Sequence, residues 1–131
     1  MSGLDQIELS ISEAEKRVNK AKKAIELYDN PLFKELVVEG YFEQEAIRLV
    51  GLYGAGVLDD NQKQEVQRDM HGVGSFRRYL RNIVRDGEQA ELDLNSAKDQ
   101  REEYLFQQAE QQADGQTTLD FDSDYAGSLG A

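Results

Sequence analysis

Two apolar seams, each advancing by alternate steps of three and four residues, limit what this chain can fold into more than any other feature. The first runs through Leu4, Ile7, Ile11, Ala14, Val18, Ala21, Ile25 and Tyr28. The second runs through Val73, Phe76, Leu80, Ile83, Gly87, Ala90, Leu94 and Ala97. Such spacing keeps one narrow stripe of an α-helix turned toward a helical partner. A narrow seam also suits the composition: 39% of the chain is hydrophobic and 31% charged, with no Trp and one Pro, too little apolar matter for a broad globular core. Small residues stand on both seams, Ala14 and Ala21 on the first and Gly87, Ala90 and Ala97 on the second, so two backbones can approach closely. The expected fold is all-α: a long antiparallel helical hairpin with a coiled-coil-like seam, two short helices at the turn, and a disordered acidic C-terminal tail. An intermolecular bundle satisfies the same periodicity.

Local signals divide this body into helices of about 7–29, 31–39, 42–53, 60–71 and 75–112. Ser2 or Ser10 can cap the first. Asn30-Pro31 ends it and opens the second, Asn as N-cap and Pro at the first helical position. Gly40 predicts a C-cap or sharp bend ahead of Tyr41 and Phe42. The third helix presents Phe42, Ala46, Leu49, Val50 and Tyr53 and stops at Gly54-Ala55-Gly56. Asp59, with Gln62 three residues on, reads as a capping box. Gly72-Val73-Gly74-Ser75 predicts a kink or break, since each glycine costs about 1 kcal/mol in a helix interior. The helical body is expected over 1–112 and a flexible tail over 113–131.

Charge is unevenly placed. The formal total is −11. All fifteen Lys and Arg lie at or before Arg101 beside nineteen acids, whereas the last thirty residues hold seven acids and no base. That balance argues against direct nucleic-acid binding or docking on anionic lipid, which need a positive surface. No signal peptide or membrane span is expected. The acidic tail, rich in Gly, Ser, Thr and Asp with scattered single hydrophobes, is expected to stay unfolded on its own and to act as an interaction segment.

Little in the sequence points to catalysis. The chain has no Cys, and its one His, His71, sits beside the Gly72–Gly74 interruption with no nucleophile motif near it. No enzyme activity and no cofactor are expected. Asp120, Asp122 and Asp124 alternate like the start of a calcium loop, but Tyr125 stands where that loop needs Gly and no Glu follows at the twelfth position, so no metal site is expected. Two features suit partner contact. Arg77, Arg81 and Arg85 form a stripe at spacing four, with Arg78 adjacent, able to grip an acidic partner or phosphate; alternatively they pair with Glu35, Glu39 and Glu43 of the short helices. In the tail, Gln116, Leu119 and Phe121 stand in a Gln-x-x-Leu-x-Phe arrangement that resembles the peptide by which many proteins dock on the bacterial sliding clamp. That resemblance implies polar contacts from Gln116 and apolar anchoring by Leu119 and Phe121.

The stretch NPLFKELVVEGYFEQEAIRLV (30–50) and the later FRRYLRNIVRDGEQAE (76–91) resemble a group of small helical proteins encoded by tailed bacteriophages. The likeness covers about residues 1–101 and rests on the Asn-Pro turn, the Glu-Gly-Tyr-Phe segment and the Arg/Tyr/Leu helix. It implies a phage gene product, placed in the host cytoplasm or the virion. The function expected from it is that of a structural or assembly protein, a helical scaffold, adaptor or chaperone that binds phage or host proteins and can form homo-oligomers. The alternative is an acidic regulatory protein that engages a replication or transcription component through the tail.

Overall fold

A computed structural model describes the backbone of residues 2–130 and the side chains of residues 2–113. The chain is helical almost throughout: α1 (Gly3–Asp29), α2 (Pro31–Phe33), a π-helical stretch π1 (Lys34–Glu45), α3 (Ala46–Gly54) and α4 (Asp60–Gly130). There is no strand among the described residues. No helix among them is long and apolar enough to cross a membrane. The all-α expectation and the pairing of a long helix with another are met. The expected flexible tail, 113–131, falls almost wholly on residues whose side chains lie outside those described.

Capping follows the sequence closely. The Asp5 N–H donates to Ser2 Oγ at 3.1 Å, so α1 starts at Gly3, four residues before the expected start. Ser10 Oγ instead donates back to the Gln6 carbonyl within the helix. Asn30 Oδ1 accepts from the N–H groups of Leu32 and Phe33 at 2.9 and 3.3 Å. Asp59 and Gln62 close a reciprocal capping box, the Gln62 N–H on Asp59 Oδ1 at 2.8 Å and the Asp59 N–H on Gln62 Oε1 at 3.0 Å. Gly56, with φ +73°, turns the chain out of α3.

Two expected interruptions are absent. Gly40 neither caps nor bends a helix; it lies inside π1, which runs into α3 without a gap. A Cβ there would sit 3.0 Å from the Glu35 carbonyl oxygen five residues back, so the wide turn brings backbone where a side chain would stand. The second absent break is at 72–75, where α4 is continuous. Glycine's propensity cost is outweighed by packing, because Val66, Val73 and Leu80 share one heptad position and are all buried against Phe42 and Leu49. A Cβ at Gly72 would meet only Tyr41 Oη, at 3.7 Å. Gly72→Ala is therefore expected to stabilise the fold by about 0.5–1 kcal/mol, read as a higher denaturant midpoint at unchanged m-value. A lower midpoint would mean that helix propensity does not govern that turn.

The chain divides into two compact units. The first joins Met1–Glu13 to Leu92–Ala131. In it Ile11 and Ala97 are buried, Arg101 Nη1 lies 3.6 Å from Glu8 Oε2, and Gly3 stands against the ring of Tyr104. The low residue numbers of α1 thus meet the high numbers of α4, an antiparallel pairing. The second unit, Ala14–Glu91, holds the remaining α1–α4 pairing and the turn helices. Ala14, Ala21 and Ala24 of α1 are buried there, with Leu80 and Ala90 of α4. The seam drifts: Ala24 is buried where the heptad count placed Ile25, which is half exposed. A straight helix rotates by about 20° per heptad against a 3.5-residue repeat, enough to move the stripe over several turns. The core proper is Phe42, Leu49, Val66, Val73 and Leu80, with Tyr28, Phe33, Tyr41 and Leu52 packed around it. Ring contacts tie the turn to both long helices: Tyr28 meets Phe33 edge-on at 5.7 Å between ring centres, and Phe42 meets Phe76 in a tilted arrangement at 5.5 Å.

Arg17 donates to the Asp86 carboxylate across the α1–α4 seam, Nη2 to Oδ1 at 2.8 Å and Nε to Oδ2 at 3.0 Å, and Nη2 also reaches the Asp86 carbonyl oxygen at 3.4 Å. The Arg17 hydrogen bond holds the Asp86 carboxyl below its usual range, against some desolvation, with help from the charges of Arg17 and Lys20. A carboxyl with a depressed folded-state pKa contributes stability above its unfolded pKa and loses it as the pH falls through the folded value. Carboxyl NMR titration should give Asp86 a midpoint below that of unpaired aspartates. Arg17→Ala should return it to the ordinary range; an unchanged midpoint would show that the pair does not persist in solution.

Candidate partner-binding site

α3 is apolar nearly all round: Ala46, Ile47, Leu49, Val50, Leu52 and Tyr53 accompany one charge, Arg48. A helix of that kind is normally covered on every side. Here only part of it is. Leu49 is 1% exposed at the centre of the core, and Ala46 and Leu52 pack beside it. Ile47 is 72% exposed and Val50 56%. With Gly51 and Gly54 these residues recur at spacings of three and four, forming an outward stripe, and a Cβ at either glycine would meet nothing within 4 Å. Arg48, beside the stripe, is neutralised by Glu45 three residues earlier, its Nε donating to Glu45 Oε2 at 2.9 Å. That hydrogen bond lowers the Glu45 pKa and raises that of Arg48. Leu32, Leu36 and Val57, in and after the turn helices, are also largely exposed. The sequence reading grouped Val50 and Tyr53 with the buried face of this helix and passed over Ile47. The missed signal was the lack of any polar face in 46–54, which leaves an apolar stripe over whichever side meets the core.

Among the described residues Arg77, Arg78, Arg81 and Arg85 form no ion pair, with Glu35, Glu39, Glu43 or any other acid. Successive steps of four on a 3.6-residue helix carry the guanidinium groups around α4. Arg81 and Arg85 border a groove between α1 and α4 with Ile25, Tyr28, Val84 and Glu88. Arg77 and Arg78 border two hollows between the turn helices and α4. One, of about 220 Å³, is lined by Phe42, Ala46, Val50, Met70, Val73 and Gly74 beside Arg77. The other, of about 390 Å³, is lined by Tyr53, Gln67, Met70, His71 and Gly74 beside Arg78. Met70 and Gly74 belong to both, so the hollows adjoin. Gln67 Nε2 donates to Tyr53 Oη at 3.1 Å across the second. His71 is exposed.

No cluster of three or more His, Asp, Glu or Cys able to hold a metal ion occurs among the described residues. The tail residues Gln116, Leu119 and Phe121, and the Asp120, Asp122 and Asp124 series, lie outside the residues whose side chains are described. Comparison with protein-family models, curated proteins and solved structures finds no match.

Proposed function

We propose that this protein acts by binding other proteins, as a helical scaffold, adaptor or chaperone in the assembly of tailed-phage particles. The observation that carries the reading is the uncovered apolar stripe of α3, Ile47, Val50, Gly51 and Gly54, continuous with a core residue on the same nine-residue helix. Water-facing apolar surface of this kind favours a partner that removes it from solvent, and glycines within it admit a second backbone at close range. The phage setting rests on the likeness of 30–50 and 76–91 to small helical phage proteins.

Quantitative mass spectrometry of purified particles and of assembly-arrested lysates tests the role. The chain should be recovered in defined copy number in particles or in an assembly intermediate. Ile47→Asp should remove it from both while leaving its melting temperature nearly unchanged, because an exposed substitution perturbs folding little. Absence of the unmodified chain from particles and intermediates alike would overturn the assembly reading. It would favour the regulatory one, in which Gln116, Leu119 and Phe121 engage a sliding clamp. In that case a peptide spanning 113–131 should bind the clamp, and Leu119→Ala/Phe121→Ala should abolish binding.

A further inference from the structure

α3 runs antiparallel to the early turns of α4, and the two adjoining hollows form one groove between them. At one end Tyr53 Oη accepts from Gln67 Nε2 at 3.1 Å, and at the other Ala46 stands by Val73 and Arg77. Val50, on one wall, is 56% exposed, and Met70 faces it from α4, so apolar surface lines the groove and meets water. Gly74 keeps the seat open: it lines both hollows, and a Cβ there would meet nothing within 4 Å. From Gln67 to Arg78 the groove follows about 16 Å of helix, or three turns. Its charge lies at one end. Arg77 and Arg78 border the hollows, no acid lines either, and neither arginine forms an ion pair among the described residues. The groove bordered by Arg81 and Arg85 differs, since Glu88 stands within it and offsets their charge.

We infer that the α3–α4 groove binds an acidic amphipathic helix of a partner protein, its apolar side chains seated along the groove and its carboxylates over Arg77 and Arg78. Two helices side by side offer a third helix a seat in which it covers apolar wall on both at once. Apolar side chains at alternating steps of three and four would follow that seat for its three turns, and one of them can reach the α4 backbone at Gly74. Charge selects the class of partner. Guanidinium groups bind carboxylates through paired, charge-assisted hydrogen bonds, and no acid of this chain lines the hollows to compete. A wholly apolar helix would leave the arginines unmatched, and a basic one would be repelled. A bare phosphate would match the arginines but leave Val50 and Met70 in water. The inference rests on the reading that the chain works by binding proteins. It adds the partner's chemistry, at a face that shares only Val50 with the outward stripe of α3.

Fluorescence anisotropy with the full chain and two labelled synthetic helices tests it. Both peptides carry Leu at alternating steps of three and four over three turns. One has Glu in both end turns, so that either direction of binding brings carboxylates to the arginines; the other has Lys at the same positions. The Glu peptide should bind saturably and the Lys peptide about tenfold or more weakly, a difference that shrinks at high salt, where exposed charges are screened. Arg77→Glu/Arg78→Glu should reverse the order of the two peptides, which loss of the fold cannot do. Gly74→Leu should fill the seat and weaken the Glu peptide by about tenfold or more. Its melting temperature should not fall, because the position is open and leucine favours the helix more than glycine does. Ile47→Asp should leave peptide binding unchanged while removing the chain from particles, so the groove and the outward stripe fail separately. No saturable binding of the Glu peptide, equal binding of both peptides, or binding indifferent to Gly74→Leu would overturn the inference. Displacement of the Glu peptide by inorganic phosphate at matched ionic strength would overturn it in favour of a simple anion site.

Discussion

Leu49→Ala is expected to lower stability by about 2–5 kcal/mol, because it truncates a large side chain that the fold encloses almost completely and leaves a cavity. Leu49 is 1% exposed and packs with Phe42, Val66, Val73 and Leu80. These residues come from three segments: π1, α3 and α4. The loss should therefore release the turn helices from α4 as well as remove transfer energy, and urea unfolding followed by far-ultraviolet dichroism would read it. Leu36→Ala, on a side chain 67% exposed, should move the midpoint by less than about 0.5 kcal/mol. Equal losses for the two variants would show that the Phe42–Leu49 cluster is not the centre of the fold.

Gly87→Leu is expected to cost about 3 kcal/mol, the upper part of the range for overpacking a close contact. A Cβ at Gly87 would stand 2.1 Å from the Ala21 Cβ and 3.6 Å from the Arg17 carbonyl oxygen, whereas carbon atoms rest about 3.5–4.0 Å apart. The helices must part to admit even one carbon. The Arg17–Asp86 hydrogen bonds, one residue away on α4, would be strained with them. A milder pair isolates the clash. Gly87→Ala gains helix propensity yet should still destabilise, and adding Ala21→Gly should recover part of the loss, with a coupling energy of roughly 0.5–3 kcal/mol in a double-mutant cycle. Additive effects would mean that the two residues do not touch. Ala90, fully buried at the next seam position, should respond to Ala90→Leu in the same direction. Leu94 is only half buried, so Leu94→Ala belongs near the lower end of the range for core truncation.

How the seams and caps were legible is clear from particular residues. Asn30-Pro31, Asp59 with Gln62, and Gly56 act through bonds to neighbours within a few positions, and a local pattern contains all the information such bonds need. The small seam residues Ala14, Ala21, Gly87, Ala90 and Ala97 were likewise readable, and all are buried. Gly40 and the 72–75 segment were misread for one shared reason. A glycine's propensity cost is local, whereas the packing that outweighs it comes from Phe42 and Leu49 against Val66 and Val73, residues far apart in sequence. The arginine stripe was visible as spacing, but whether an acid would come within reach depended on where π1 settled over α4.

By itself, then, the sequence determined that this protein is all-α, where α2 and α4 begin, which small residues lie on the seams of α1 and α4, and where its charge lies. Helical periodicity, capping and net charge are properties of short windows or of simple sums. Only the tertiary structure decided that π1 and α3 form one uninterrupted helical run, that α4 passes through its glycines unbroken, and that Ile47 and Val50 face water while Leu49 does not. It also decided that Arg77 and Arg78 border largely apolar hollows and form no ion pair among the described residues. A helix with no polar face has no sequence-encoded inside. Which side of α3 is buried is chosen by the neighbours that reach it first, and the side they leave open is the one offered to a partner.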